Sequence, residues 1–180
     1  MDTLKGQLLI AGPKLFDPNF RRTVVLVAEH SEEGALGVVL NRPSEVTVGE
    51  AAPALVPLVA REDLLYLGGP VQPQGAVVLA EFEDPGAAGL LAFGAIGFLV
   101  GDIEPEAVLH VRRARAFAGY AGWGEGQLEQ ELEEESWILE PALPEDVFTE
   151  DPDGLWSGIL RRKGPRFQLL STMPFDPSLN

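Results

Sequence analysis

The chain has 180 residues, 46% hydrophobic and 23% charged, which suits one domain with a substantial core and excludes wholesale disorder. Thirteen Lys and Arg stand against 28 Asp and Glu, and the formal charge of −15 excludes a basic nucleic-acid footprint at the level of the whole chain. With no cysteine, disulfides, thiolate metal sites and cysteine catalysis are excluded as well.

The N-terminus lacks a basic segment followed by a long apolar run, so a cytoplasmic protein is expected. The uncharged stretch 85–101, which no other exceeds in length, carries five glycines and is too short for a membrane span. Fifteen prolines and only two methionines give the composition a thermophile-like cast.

Residues 8–11 form an apolar run between Gly6 and Gly12-Pro13 and read as a strand. Residues 23–28 are apolar at successive positions, the pattern of a strand buried on both faces. Residues 36–40 follow a polar loop at 31–34 and complete a hairpin, which Asn41-Arg42-Pro43 ends. The spacing over 47–59 is helical, limited to short turns by Pro53 and Pro57. Strands are expected at 64–67 and 75–80, paired with each other, and at 96–100. Residues 82–95 carry no clear pattern, and 104–111 fits either a short helix or a strand. A strand is expected at 115–120, then a helix at 127–135 with Leu128 and Leu132 stacked four apart. Residues 137–139 are apolar again. Helices are expected at 144–149 and 154–162, the second with Leu155, Ile159 and Leu160 facing inward, and a last strand at 167–170.

Charge is uneven along the chain. Between Arg115 and Arg161 there are twelve acids and no Lys or Arg, which reads as a solvated helix face with acidic loops, a surface for a basic partner or a cation site. Arginine pairs at 21–22, 112–113 and 161–162 are candidates for a local positive patch. Only His30 and His110 offer imidazoles, and they share no metal-ligand spacing, so neither metal nor cofactor is expected. His30 lies at a strand end, where it serves either as an acid/base or as a structural cap. Asn41-Arg42 offers either an amide and guanidinium fork for an anion, or a turn with Arg42 paired to a nearby acid such as Glu45. The glycines at 119, 122, 124 and 126 precede a helix but lack the Lys and Ser/Thr of a phosphate loop.

Several blocks together carry a family resemblance. They are Gly6-Gln7-Leu8-Leu9-Ile10-Ala11, Pro13-Lys14-Leu15-Phe16-Asp17-Pro18-Asn19-Phe20, Arg22-Thr23-Val24-Val25, Glu29-His30 and Gly34 through Pro43. Gly68-Gly69-Pro70-Val71 and Gly119-Tyr120-Ala121-Gly122-Trp123-Gly124-Glu125-Gly126-Gln127-Leu128-Glu129 complete the set. In this order they resemble the AlgH/YqgE family of bacterial proteins, over about residues 6–156 and thinly over 82–115. Family members often carry Leu-His after the Gly-Gly-Pro-Val block, where this chain has Leu79-Ala80.

The resemblance implies one α+β domain over 1–180, with a mixed, largely antiparallel, barrel-like sheet and flanking helices. Members are often labelled transcriptional regulators, by genetic association. The expectation for this chain is a non-enzymatic regulatory or adaptor protein acting through a protein partner or a small anionic ligand. Neither direct nucleic-acid binding nor membrane association is expected. The ligand-binding candidates are Asp17, Arg22, His30, Asn41 and Arg42, with Trp123, Gln127 and Glu129 as a second set; no catalytic residue is assigned. The alternative is a small-anion-binding enzyme or sensor using Arg42 and His30 together, which requires the two to share a cleft.

Overall fold

A computed structural model describes residues 3–99 and 110–172. Ten strands, β1 (Gln7–Ala11), β2 (Val24–Ser31), β3 (Gly34–Val39), β4 (Pro43–Thr47), β5 (Leu64–Leu67), β6 (Val71–Phe82), β7 (Leu90–Phe93), β8 (Ile96–Leu99), β9 (Val111–Trp123) and β10 (Trp137–Pro141), join in one sheet. Five helices accompany them: α1 (Val48–Ala51), α2 (Gln127–Glu133), α3 (Pro144–Val147), α4 (Pro152–Lys163) and α5 (Pro165–Ser171). The sheet order is β10-β1-β2-β3-β9-β6-β8-β7, with β4 joined through β5 to β9. All pairings are antiparallel except β5 with β9.

Alternation along β1 and β2 divides the interior. Leu8 and Ile10 with Val24, Leu26 and Ala28 face one core, while Leu9 and Ala11 with Val25 and Val27 face another. The first core takes in Val147 and Phe148 at α3 and Leu155, Trp156, Ile159 and Leu160 of α4. Fully buried side chains such as Leu8, Ile10, Leu26 and Leu160 contribute roughly 1.5–3 kcal/mol each. The second core is an aromatic cluster: Phe20, Trp123 and Trp137 stand 5.8–6.3 Å apart by ring centroids, and Leu128 of α2 packs beside them.

The sheet folds over itself without closing. Ala92 of β7 and Ile96 and Phe98 of β8 pack in the same core as Leu8 and Leu26. No ladder joins β7 to β1 or β2, so the expected barrel-like form is corrected to an open, folded sheet. The strand β9 pairs with β6 along its first part and with β3 at Ala121–Trp123. At the crossing, Gly119 (φ +73°) meets the carbonyl of Gly69 and Gly69 (φ +152°) meets the carbonyl of Tyr120, each too close for a Cβ. The β6–β9 register slips there, between Val71 and Ala76.

Helix α4 is docked by polar contacts as well as by its apolar face. Asp146, 4% exposed, accepts from both Arg162 nitrogens at 2.8 and 2.9 Å and from the Leu143 N–H at 2.8 Å. That hydrogen bonding raises the Arg162 pKa. The Trp156 indole donates to the Ala11 carbonyl at 2.9 Å.

Three sequence expectations are corrected. The strand at 64–67 pairs with β4 and β9 rather than with 75–80, because β6 is taken up by β8 and β9. Residues 167–170 lie in α5, where Pro165 occupies the first turn and Phe167 and Leu170 pack at the α4 core. The expected strand at 115–120 extends over Val111–Trp123. Within 82–95 the structure places a 3-10 turn, Pro85–Ala87, and β7. The undecided segment 104–111 lies largely outside the described residues, with Val111 opening β9.

Substituting Gly119→Ala forces a Cβ against the Gly69 carbonyl in backbone that L residues rarely adopt. Denaturant unfolding is expected to show a loss of about 2–4 kcal/mol, whereas Gly94→Ala, with open space around its Cβ, loses roughly 1–2 kcal/mol to φ alone.

Candidate functional site: an arginine cleft and a histidine latch

The connection from β1 to β2 is shaped by its own polar groups. Asp17 Oδ1 accepts from the Asn19 N–H at 2.9 Å, and the Asp17 carbonyl accepts from the N–H groups of Phe20 and Arg21. Asn41, just past β3, holds the far side. Its Oδ1 accepts from the Val24 N–H at 2.9 Å, and its Nδ2 donates to the Arg22 carbonyl at 2.9 Å. The Arg42 guanidinium donates to the carbonyls of Asn19 at 2.6 Å and Arg21 at 2.9 Å. Thus Arg42 engages backbone carbonyls, with Asp17 as its nearby acid, in place of the ion pair with Glu45. Burial lowers the Arg42 pKa, and the charge of Asp17 partly offsets this.

Held this way, Arg22 takes a left-handed conformation (φ +56°) and lays its guanidinium 4.4 Å from the centre of the Trp156 ring. A cleft of about 320 Å³ opens between the loop and α4. Arg21, Arg22, Asn41 and Arg42 form one wall; Pro152, Asp153, Trp156 and Ser157 form the other. Burial, and then the neighbouring charge of Arg21, lower the Arg22 pKa. Among the described residues the lining carries three guanidinium groups and the carboxylate of Asp153, within a chain of charge −15.

His30 is elsewhere. Arg42 follows β3, whereas His30 lies at the opposite end of the β2–β3 hairpin, roughly 20 Å of extended strand away. A single site built on both residues does not form. Instead His30 pins three segments together. Its Nδ1 accepts from the Leu4 N–H at 3.0 Å, and its Nε2 lies 2.6 Å from Glu129 Oε1 on α2. Since Nδ1 accepts, the hydrogen-bond pattern assigns the ring proton to Nε2, which donates to Glu129. The imidazole is 2% exposed and carries no nucleophile partner. Its hydrogen bond is the main cause of a lowered Glu129 pKa.

The second set of candidates therefore divides. Glu129 joins His30, Trp123 is a core aromatic, and Gln127 accepts from the Gly124 N–H at 3.0 Å at the start of α2. Ala80 is buried within β6, so no imidazole stands at that strand end. The arginine pairs do not gather: Arg113 engages Glu81 and the Phe148 ring, and Arg162 engages Asp146. Among the described residues, no group of three or more His, Cys, Asp or Glu side chains is placed to hold a metal ion.

The fold defines an α+β protein with one open, folded sheet and an arginine cleft between its first long connection and α4. The chain belongs to the AlgH-like family, whose model matches residues 8–168. A UPF0301 protein of Streptomyces coelicolor is 43% identical over 188 aligned positions, covering 100% of this chain and 97% of the relative. The crystal structure of a Corynebacterium diphtheriae protein matches with a TM-score of 0.85 at 32% identity, covering 96% of this chain and 93% of that one. The solution structure of AlgH from Pseudomonas aeruginosa matches with a TM-score of 0.71 at 34% identity, covering 95% and 94%.

Sequence reasoning missed Trp156, Asp153 and Ser157, which meet the loop only through the docking of α4. Arg21 was visible as part of an arginine pair.

Two predictions follow from these contacts. Asn41→Ala leaves a buried donor and acceptor unpaired and is expected to cost about 2 kcal/mol in urea unfolding, with Asn41→Asp losing less. Because the folded Glu129 pKa is depressed, its contribution is present above the unfolded value, ~4.3, and is lost as pH falls through the lower folded value. Wild type is therefore expected to be more stable than Glu129→Gln at neutral pH, with the gap closing as pH falls below the ordinary carboxylate range. A gap independent of pH would contradict this.

Proposed function

We propose that this chain is a non-enzymatic regulatory or adaptor protein of the cytoplasm whose working site is the arginine cleft. There it binds an anionic group, presented by a small molecule or by a partner protein. The observation that carries this reading is the convergence of Arg21, Arg22 and Arg42 with Trp156 in one cleft of about 320 Å³. Burial lowers the pKa of both Arg22 and Arg42, and the charge of Arg21 adds to the effect on Arg22; an anion brought into the cleft offsets these, which supports carboxylate or phosphate over neutral ligands. The left-handed Arg22 adds to the case, because such conformations persist where the surroundings over-determine them.

A non-enzymatic role is supported by the chemistry around the imidazole candidate. Both His30 nitrogens are committed to structural bonds, and no hydroxyl nucleophile meets them. Direct DNA binding is disfavoured by the charge of −15. No described helix is long and apolar enough to cross a membrane.

The test is thermal unfolding against inorganic phosphate, pyrophosphate, citrate and nucleotides at matched ionic strength. A ligand at 100 times its Kd adds ~2.7 kcal/mol, which for a chain of this size raises Tm by about 5–10 °C. At least one anion is expected to give such a shift, with Arg22→Ala or Arg21→Ala cutting it by half or more. Absence of any shift, or shifts equal in the variants, would remove the reading.

A further inference from the structure

A second cavity lies where the folded sheet fails to close. It measures about 340 Å³, within the range of small-molecule sites. Ala28 of β2 and Gly37 and Val38 of β3 form one side. Ala76 and Val77 of β6, Leu90 of β7, and Phe98 and Leu99 of β8 form the other.

Ala28, Val38 and Phe98 belong to the main core, with Val77 and Leu90 packed against it, yet all of them also face this space. The space arises partly because β2, which presents Val24 and Leu26 to this core, ends its buried run at Ala28. Among the described residues, two polar side chains, Glu29 and Tyr120, join the lining. The charge of Glu29 is matched by Lys5 Nζ at 2.8 Å. The Tyr120 hydroxyl has no hydrogen-bond partner among the described residues and is an available donor and acceptor.

We infer that this cavity is a binding site for a small neutral molecule, mostly apolar, with one hydrogen-bonding group directed at Tyr120. Neutrality follows from the wall: the one acidic group already has its cation, so an ionic ligand would be desolvated against carbon with no counter-charge. The site is independent of the arginine cleft and shares no lining residue with it.

The experiment titrates the whole protein with N-phenyl-1-naphthylamine, a neutral apolar dye with one N–H, followed by its fluorescence. Saturable binding at one dye per chain is expected. Ala76→Leu, which fills the cavity, and Leu36→Glu, which puts a charge on an exposed part of its lining, are each expected to weaken binding at least tenfold. Tyr120→Phe is expected to weaken it three- to tenfold. Circular dichroism and Tm of each variant report folding, and Leu36 is 44% exposed, so at least one variant reads the site in a folded protein. The anionic analogue 1-anilinonaphthalene-8-sulfonate is expected to bind at least tenfold more weakly.

No saturable binding, unchanged affinity in the folded variants, or preference for the anionic dye would overturn the proposal. So would a stable dimer that excludes the dye, which would assign this face to a second copy. Inorganic phosphate is expected not to compete with the neutral dye, so failure here and failure of the arginine cleft are separately visible.

Discussion

Two glycine backbones in contact govern the form of this molecule. A Cβ at Gly119 would run into the Gly69 carbonyl, and one at Gly69 into the Tyr120 carbonyl, so neither position has room for a side chain. There the β6–β9 register slips, and past Tyr120 the strand β9 pairs with β3. One strand thereby serves both halves of the sheet, and the halves turn toward each other without joining. The shared core among β1, β2, β7 and β8 depends on that turn, and so does the apolar cavity left along the unclosed side.

The two polar assemblies lie at opposite ends of the β2–β3 hairpin and have different characters. At one end, Asn41 and Arg42 spend their hydrogen-bonding capacity on backbone, which leaves Arg22 and Trp156 stacked beside a cleft. At the other, His30 is fully committed to Leu4 and Glu129. The hairpin is thus a spacer that keeps a cationic recess away from the His30–Glu129 latch. Positioning by backbone contacts makes the recess insensitive to exposed side chains of the loop, because the carbonyls that orient Arg42 are those of the chain itself.

Local patterns were legible in the sequence, and long-range partners were not. The apolar run at 8–11 marked a strand, and the one at 23–28 a strand buried on both faces, since each residue's burial depends on its own position in the pleat. The spacing of Leu128 and Leu132, and of Leu155, Ile159 and Leu160, gave α2 and α4 for the same reason. The partner of β5 was misread because hydropathy does not encode which edge a short strand meets. The run at 167–170 resembles a buried strand until Pro165 is weighed as the opening of a helix. In the site, Asn41 and Arg42 were visible as a polar pair ending a hairpin. Trp156 was not, since it reaches the loop only after α4 has docked, and nothing near it in sequence marks that meeting.

The position of β1 has a consequence for synthesis on the ribosome. This strand lies between β2 and β10, and the last of its neighbours to be made is Trp137–Pro141. Until that segment emerges, the nascent chain presents a strand as apolar as Leu8, Leu9, Ile10 and Ala11 with one edge open. The indole that bonds Ala11 arrives later still, on α4. Most of the polypeptide must therefore be translated before its first strand is sealed, and throughout that interval the N-terminal hairpin is a natural client for chaperones that shield unpaired strands.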